Sequence, residues 1–245
     1  MKYTVAVVVV LSMLGASALA DFPTVQISIG VRDNGTAAPI GGNGGGSGEI
    51  EWVNLDAQTL VLDGTWQQFT FTFASDPITG FTGNGVLDNA SGTLEHIRIK
   101  STGFGGPMSM WVDDIADTIT VVAPPPPHQV TTTFGTFEGY PDLTEVIFQE
   151  PSFSGSTSGF IQPGSFSGVD NTVFHSGAAS DHISFQFIDS STDDWCRLTT
   201  FNAPNLPNPA LRFDQASVLT FWMMGVPEPA SLLLLGLAAG LLRRR

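Results

Sequence analysis

Three tryptophans are the side chains whose type and setting best suit ligand recognition. Trp111 stands in "MSMWVDD", where Ser109, Trp111 and Asp113 alternate against Met108, Met110 and Val112. A flat exposed indole stacks on the apolar face of a pyranose while polar neighbours bond its hydroxyls, so this pattern points to glycan recognition. Trp52 and Trp66 follow Trp111 as candidates, although core packing is the commoner fate of a sandwich tryptophan.

Other patterns with chemical potential fail on their context. "GGNGGGSG" at 41–48 lacks the Lys-Ser/Thr and the following helix of a phosphate cradle and reads as a loop. "GSTSG" at 155–159 places Thr157 where a nucleophile elbow needs serine. His96, His128, His175 and His182 have no metal-ligand spacing. Cys196, in the alternating "DDWCRLTTF", reads as a buried strand residue, and a single cysteine forms no internal disulfide. Glycoside hydrolysis needs two carboxylates facing each other across a cleft, and abundant acids do not define such a pair. The chain therefore reads as non-catalytic.

The elements that must position these residues are strands. Period-two alternation puts Val25, Ile27, Ile29 and Val31 on one face, and likewise Phe69, Phe71 and Phe73. "LEHIRIK" turns Ile97 and Ile99 inward and His96, Arg98 and Lys100 out, and "HISFQFI" gathers Ile183, Phe185 and Phe187. With 27 Gly, 16 Pro and no helical period between strands, the 245-residue chain predicts an all-β antiparallel sandwich. Residues 21–224 carry five Lys or Arg against 22 Asp or Glu, so a phosphate backbone would be repelled and nucleic acid is excluded as a partner.

Both termini carry addresses. "MKYTVAVVVVLSMLGASALA", with Lys2, an apolar run from Val5 to Leu14 and an A-x-A site at Ala18 and Ala20, predicts a signal peptide over residues 1–20. The other end reads "VPEPASLLLLGLAAGLLRRR". From Ala230 to Leu242 a helix would reach only about 20 Å, against a hydrocarbon layer of roughly 30 Å. Pro227 and Pro229 oppose its upstream extension. Arg243, Arg244 and Arg245 set its orientation with the arginines inside. Val226-Pro227-Glu228-Pro229, an apolar stretch and a terminal arginine cluster resemble the PEP-CTERM sorting signal. The resemblance implies a precursor held transiently in the inner membrane of a Gram-negative bacterium. Signal peptidase and an exosortase would process it, and the body would pass to the cell surface or extracellular matrix.

"APPPPH" at 123–128 divides the body into segments 21–122 and 129–224, ahead of the sorting signal at 225–245. A run of prolines is an extended, stiff spacer. The first segment ends in "MSMWVDDIADTITVV" and the second opens on "TTFGTFEGYPDL". Both resemble carbohydrate-binding-module jelly rolls of the galactose-binding type, in which an "FEG" stretch opens the domain and a "DDI" stretch closes it. Here that order is reversed. The segments are either two small sandwiches or complementary parts of one permuted jelly-roll-like sandwich, followed by a C-terminal hydrophobic helix. The resemblance also implies a structural calcium ion, with Glu138, Asp113 and Asp114 carried over as its ligands. The expected function is that of an exported, exosortase-processed surface or matrix protein, with recognition of extracellular polysaccharide as the alternative.

Overall fold

A computed structural model describes residues 22–33, 49–122, 126–200, 210–213 and 217–228. The expected signal peptide, Pro229, Arg243, Arg244, Arg245 and the expected C-terminal helix lie outside them. Among the described residues there is no α-helix, and no helix long and apolar enough to cross a membrane.

The alternating stretches form the expected strands, and their apolar sides meet. The strands are β1 (Thr24–Arg32), β2 (Ile50–Val61), β3 (Gln67–Thr72), β4 (Ile78–Gly80), β5 (Ser91–Ser101) and β6 (Met108–Val121). They continue with β7 (His128–Gly135), β8 (Phe166–Asp170), β9 (Ser180–Phe185), β10 (Trp195–Thr199), β11 (Ala210–Arg212) and β12 (Val218–Pro227). All the strand pairings are antiparallel and build two sheets. Sheet A runs β10-β5-β1-β2-β4, with β11 also on β5, and sheet B runs β3-β12-β6-β9-β8, with β7 also on β6.

Each sheet takes strands from both sides of the proline run. One continuous cluster of buried side chains joins Ile29, Phe71 and Met110 of the first segment to Ile183, Leu198 and Phe221 of the second. Val121 and His128, which flank the prolines, are registered partners, so the run connects neighbouring antiparallel strands.

Slips in register shape the outer faces. Between β6 and β12 the register slips at Thr220/Trp222, so Asp114 and Ile115 together oppose Phe221. Asp114 takes the left-handed conformation there, with φ 53°. Such a bulge re-aims successive side chains, here Asp113 and Asp114, towards one loop. Another slip, between Gly30 and Val31 of β1 where it pairs with β5, lies where Gly30 passes close to His96.

Candidate functional site

On sheet A the expectation that His96 and Arg98 face solvent is corrected. They do point away from the apolar core, but His96 is 0% and Arg98 5% exposed. An aromatic and polar layer covers them. Trp52 stacks on Phe81 at 4.6 Å between centroids and meets Trp195 edge-on at 5.5 Å. The Arg98 guanidinium lies 5.1 Å from the Trp52 ring and 4.9 Å from that of Trp195, and it pairs with Asp56, which also holds Lys100. Cation–π contacts of this kind are strongest where water is excluded.

The proton pattern beneath Trp52 follows from donor and acceptor chemistry. An indole N–H only donates, so at 3.1 Å it must give its hydrogen to His96 Nε2. The other ring nitrogen, Nδ1, then carries the proton and donates to Glu95. His96 is neutral, and burial holds its pKa below the ordinary histidine value against the pull of Glu95. Burial works to raise the Glu95 carboxyl, and His96 together with the Arg197 and Arg32 guanidinium groups outweighs it, leaving Glu95 below its usual range. Of these, the permanently charged arginines are the ones that keep Glu95 ionised beside a neutral ring. With both nitrogens engaged, His96 is available neither as a base nor as a metal ligand.

Trp52, expected as a sugar platform, thus has its N–H and much of its ring committed internally. Replacing it with phenylalanine is expected to leave the buried His96 Nε2 without a donor. That should cost about 1–3 kcal/mol, read as a lowered urea midpoint. Cys196 is fully buried on the core side of β10, as its alternation suggested, and burial pushes its thiol pKa up.

Sheet B carries the other two candidate tryptophans. Trp111 stacks on His182 at 4.8 Å and donates its N–H to Asp170 at 2.8 Å. Trp66 meets His175 edge-on at 5.6 Å, and His175 stacks on Trp222 at 4.0 Å. All three indoles are half-buried, and Met224 stands opposite Trp111 in the register. Sequence reasoning passed over Trp222 and weighed His175 and His182 only as metal ligands. The signal for Trp222 was its alternation with Phe221 and Met223, both of which point into the core.

The three acids expected to bind calcium converge on one loop. Asp113 Oδ2 accepts the backbone N–H of His175 at 2.9 Å and that of Ser176 at 3.1 Å, and its Oδ1 accepts that of Asp114 at 2.7 Å. Asp114 takes His175 Nδ1–H and the Ser176 hydroxyl, each at 2.7 Å. Glu138 accepts the N–H of Ala178 at 2.7 Å. Calcium wants six to eight oxygens free to face it, whereas both carboxylate oxygens of Asp113 and both of Asp114 are spent on loop or backbone donors. Among the described residues no three His, Cys, Asp or Glu side chains form a metal-binding group. The donor set therefore does not fit calcium. It clamps the 175–178 loop, and burial raises the Asp113 pKa to about 6.

The end of β12 forms the last part of the site. Ser109 Oγ donates to Glu228 Oε1 at 2.6 Å, and His182 Nε2 lies 3.1 Å from the same hydroxyl. Ser109 has one proton and gives it to the carboxylate, so His182 donates to Ser109. The hydroxyl is thus turned away from the imidazole, the reverse of the polarity that activates a serine nucleophile. Glu228 also donates its backbone N–H to Pro107 O at 2.8 Å, beside a cleft lined by Pro107, Gln162, Pro163 and Gln186.

Fold and terminus together define the class: an all-β protein of two antiparallel sheets whose last strand runs directly into a C-terminal sorting segment. Residues 225–245 match the family described as the PEP-CTERM protein-sorting motif. That motif is one of exosortase-targeted export and implies a membrane-anchored precursor that passes to the surface. No curated protein and no solved structure matches the chain.

Proposed function

We propose that the mature chain is a non-catalytic protein of the bacterial cell surface or extracellular matrix, released there by exosortase from an inner-membrane precursor. The match over residues 225–245 carries this reading. The internal commitment of His96, and the direction of the Ser109 hydroxyl towards Glu228, support the absence of catalysis. In the producing bacterium, released protein is expected to lack Arg243, Arg244 and Arg245. Without the exosortase, or with Pro227, Glu228 and Pro229 all replaced by alanine, full-length chain should stay in the membrane fraction. Released protein that still carries the arginines would sink the reading.

A second reading, recognition of an extracellular polysaccharide, is favoured by the gathering of half-buried Trp66, Trp111 and Trp222 around His175 and His182. Retention of the mature protein on immobilised polysaccharide, lost in Trp66→Ala and Trp111→Ala, is its expected result. Failure to be retained on any polysaccharide of the producing strain would remove it.

The body fits a permuted jelly-roll-like sandwich, a reading supported by the mixing of both segments in each sheet and by the shared core. Cleavage within 123–127 should leave two fragments that stay associated and melt together. Two independently melting fragments would overturn the permuted arrangement.

A further inference from the structure

Glu228 belongs both to the sorting motif and to the folded body. Within the matched residues, Gly225, Val226 and Pro227 are registered against Met110, Ser109 and Met108 of β6. On the other side of β12, Gly225 O accepts the backbone N–H of Gly64 at 3.0 Å. Gly225 is buried, and a Cβ there would press on the side-chain ends of Leu62 and Leu60. At Glu228, the residue after Pro227, the backbone N–H bonds Pro107 O and the carboxylate takes the Ser109 hydroxyl. His182 in turn bonds Ser109. The first residues of the motif are thus the end of an interior strand, tied to its neighbours through main chain and side chain.

A protease must take the scissile stretch as an extended chain whose backbone groups are free to pair with the enzyme. Residues 225–227 are already paired with β6, and freeing them would open sheet B and leave Ser109 without its acceptor.

We propose that exosortase cuts on the C-terminal side of Glu228, so that Val226, Pro227 and Glu228 remain on the mature protein as the end of β12. Water adds across that peptide bond. Its oxygen goes to the carbonyl carbon that stays with the body, and a proton goes to the nitrogen that leaves with the arginine-bearing segment. Ser109 is then a positioning residue that keeps Glu228 on the body before and after the cut. This inference rests on the exosortase reading above and assigns the position of its product's end.

The test is mass spectrometry of the C-terminal peptide of protein released by the producing bacterium, with hydrogen exchange on the same material. The expected C-terminal peptide contains Glu228 and ends in a free carboxylate, and the Glu228 amide exchanges far more slowly than an unpaired amide. A released species ending at or before Pro227 would overturn the assignment while leaving exosortase processing intact. Exchange of the Glu228 amide at the unprotected rate would overturn it too, because the pairing that confines the cut would be missing. Release with the arginines attached would instead defeat the processing reading itself, and this inference with it.

Discussion

Alanine in place of Gly30 is expected to destabilise the protein by about 3 kcal/mol or more, read from urea or thermal unfolding. Gly30 lies in β1 between Trp52 of β2 and His96 of β5 in the register. A Cβ at this position would fall within the His96 imidazole. The ring has nowhere to go, since Glu95 holds one nitrogen, Trp52 holds the other, and its exposure is 0%. Gly155 is the control: a Cβ there meets no atom within 4 Å, and alanine should change stability by no more than about 0.5 kcal/mol. In the double variant Gly30→Ala/His96→Ala the steric conflict is gone, so its cost should fall well short of the sum of the two single costs. Additive costs would show that the imidazole is not what excludes the methyl group.

The buried acids are expected to contribute less to folded stability as pH rises from about 4 to about 7, a dependence opposite in sign to ordinary acid denaturation. Burial raises the pKa of Asp113 to about 6 and that of Asp181 well above 3.8, and it also raises Asp33, Glu51, Asp117, Glu145 and Asp194. An acid whose folded pKa lies above its unfolded one favours folding while protonated. That stability is complete below the unfolded value near 3.8 and is lost as pH climbs through the folded value. For Asp113 alone the loss is on the order of 2–3 kcal/mol across this window. Asp170 and Glu95, both lowered, act in the other sense in more acid solution, and His96 and His182, whose pKa values burial lowers, act in the other sense within the window, because a histidine held neutral in the fold costs stability as pH falls below its unfolded value near 6.5. The Asp181→Asn variant isolates one contributor, because the Ser167 hydroxyl that faces Asp181 can equally donate to an amide oxygen. It should match the parent at pH 4 and exceed it increasingly as pH rises. A difference between Asp181→Asn and the parent that stays constant from pH 4 to pH 7 would contradict this account.

Much of the body was legible from period-two patterning. Val25 to Val31, Phe69 to Phe73, Met108 to Val112 and Ile183 to Phe187 turned the side chains expected of them into the core. This works because a strand's alternation is a local property of the backbone, and the charge balance and the terminal address are equally properties of composition and short order. Partnership is not local. The Trp52–His96 bond joins residues 44 apart in the chain, and the Ser109–Glu228 bond joins residues 119 apart.

Alternation could say that His96 and Arg98 leave the core side of β5, but not that Trp52, Phe81 and Trp195 would close over them. Likewise it could place Asp113 and Asp114 at a strand, while only the bulge and the 175–178 loop turned carboxylates suited to calcium into clamps, Asp113 on backbone N–H groups and Asp114 on the His175 and Ser176 side chains. Composition and short-range order set the strands, the acidic body and the sorting address at 225–245. Tertiary structure decided which strands became neighbours, which outward side chains were covered, and that the motif's glutamate is also part of the sheet. The physical reason is that a residue's period settles the face it takes, whereas its solvent exposure and hydrogen-bond partners come from chain segments far away in sequence.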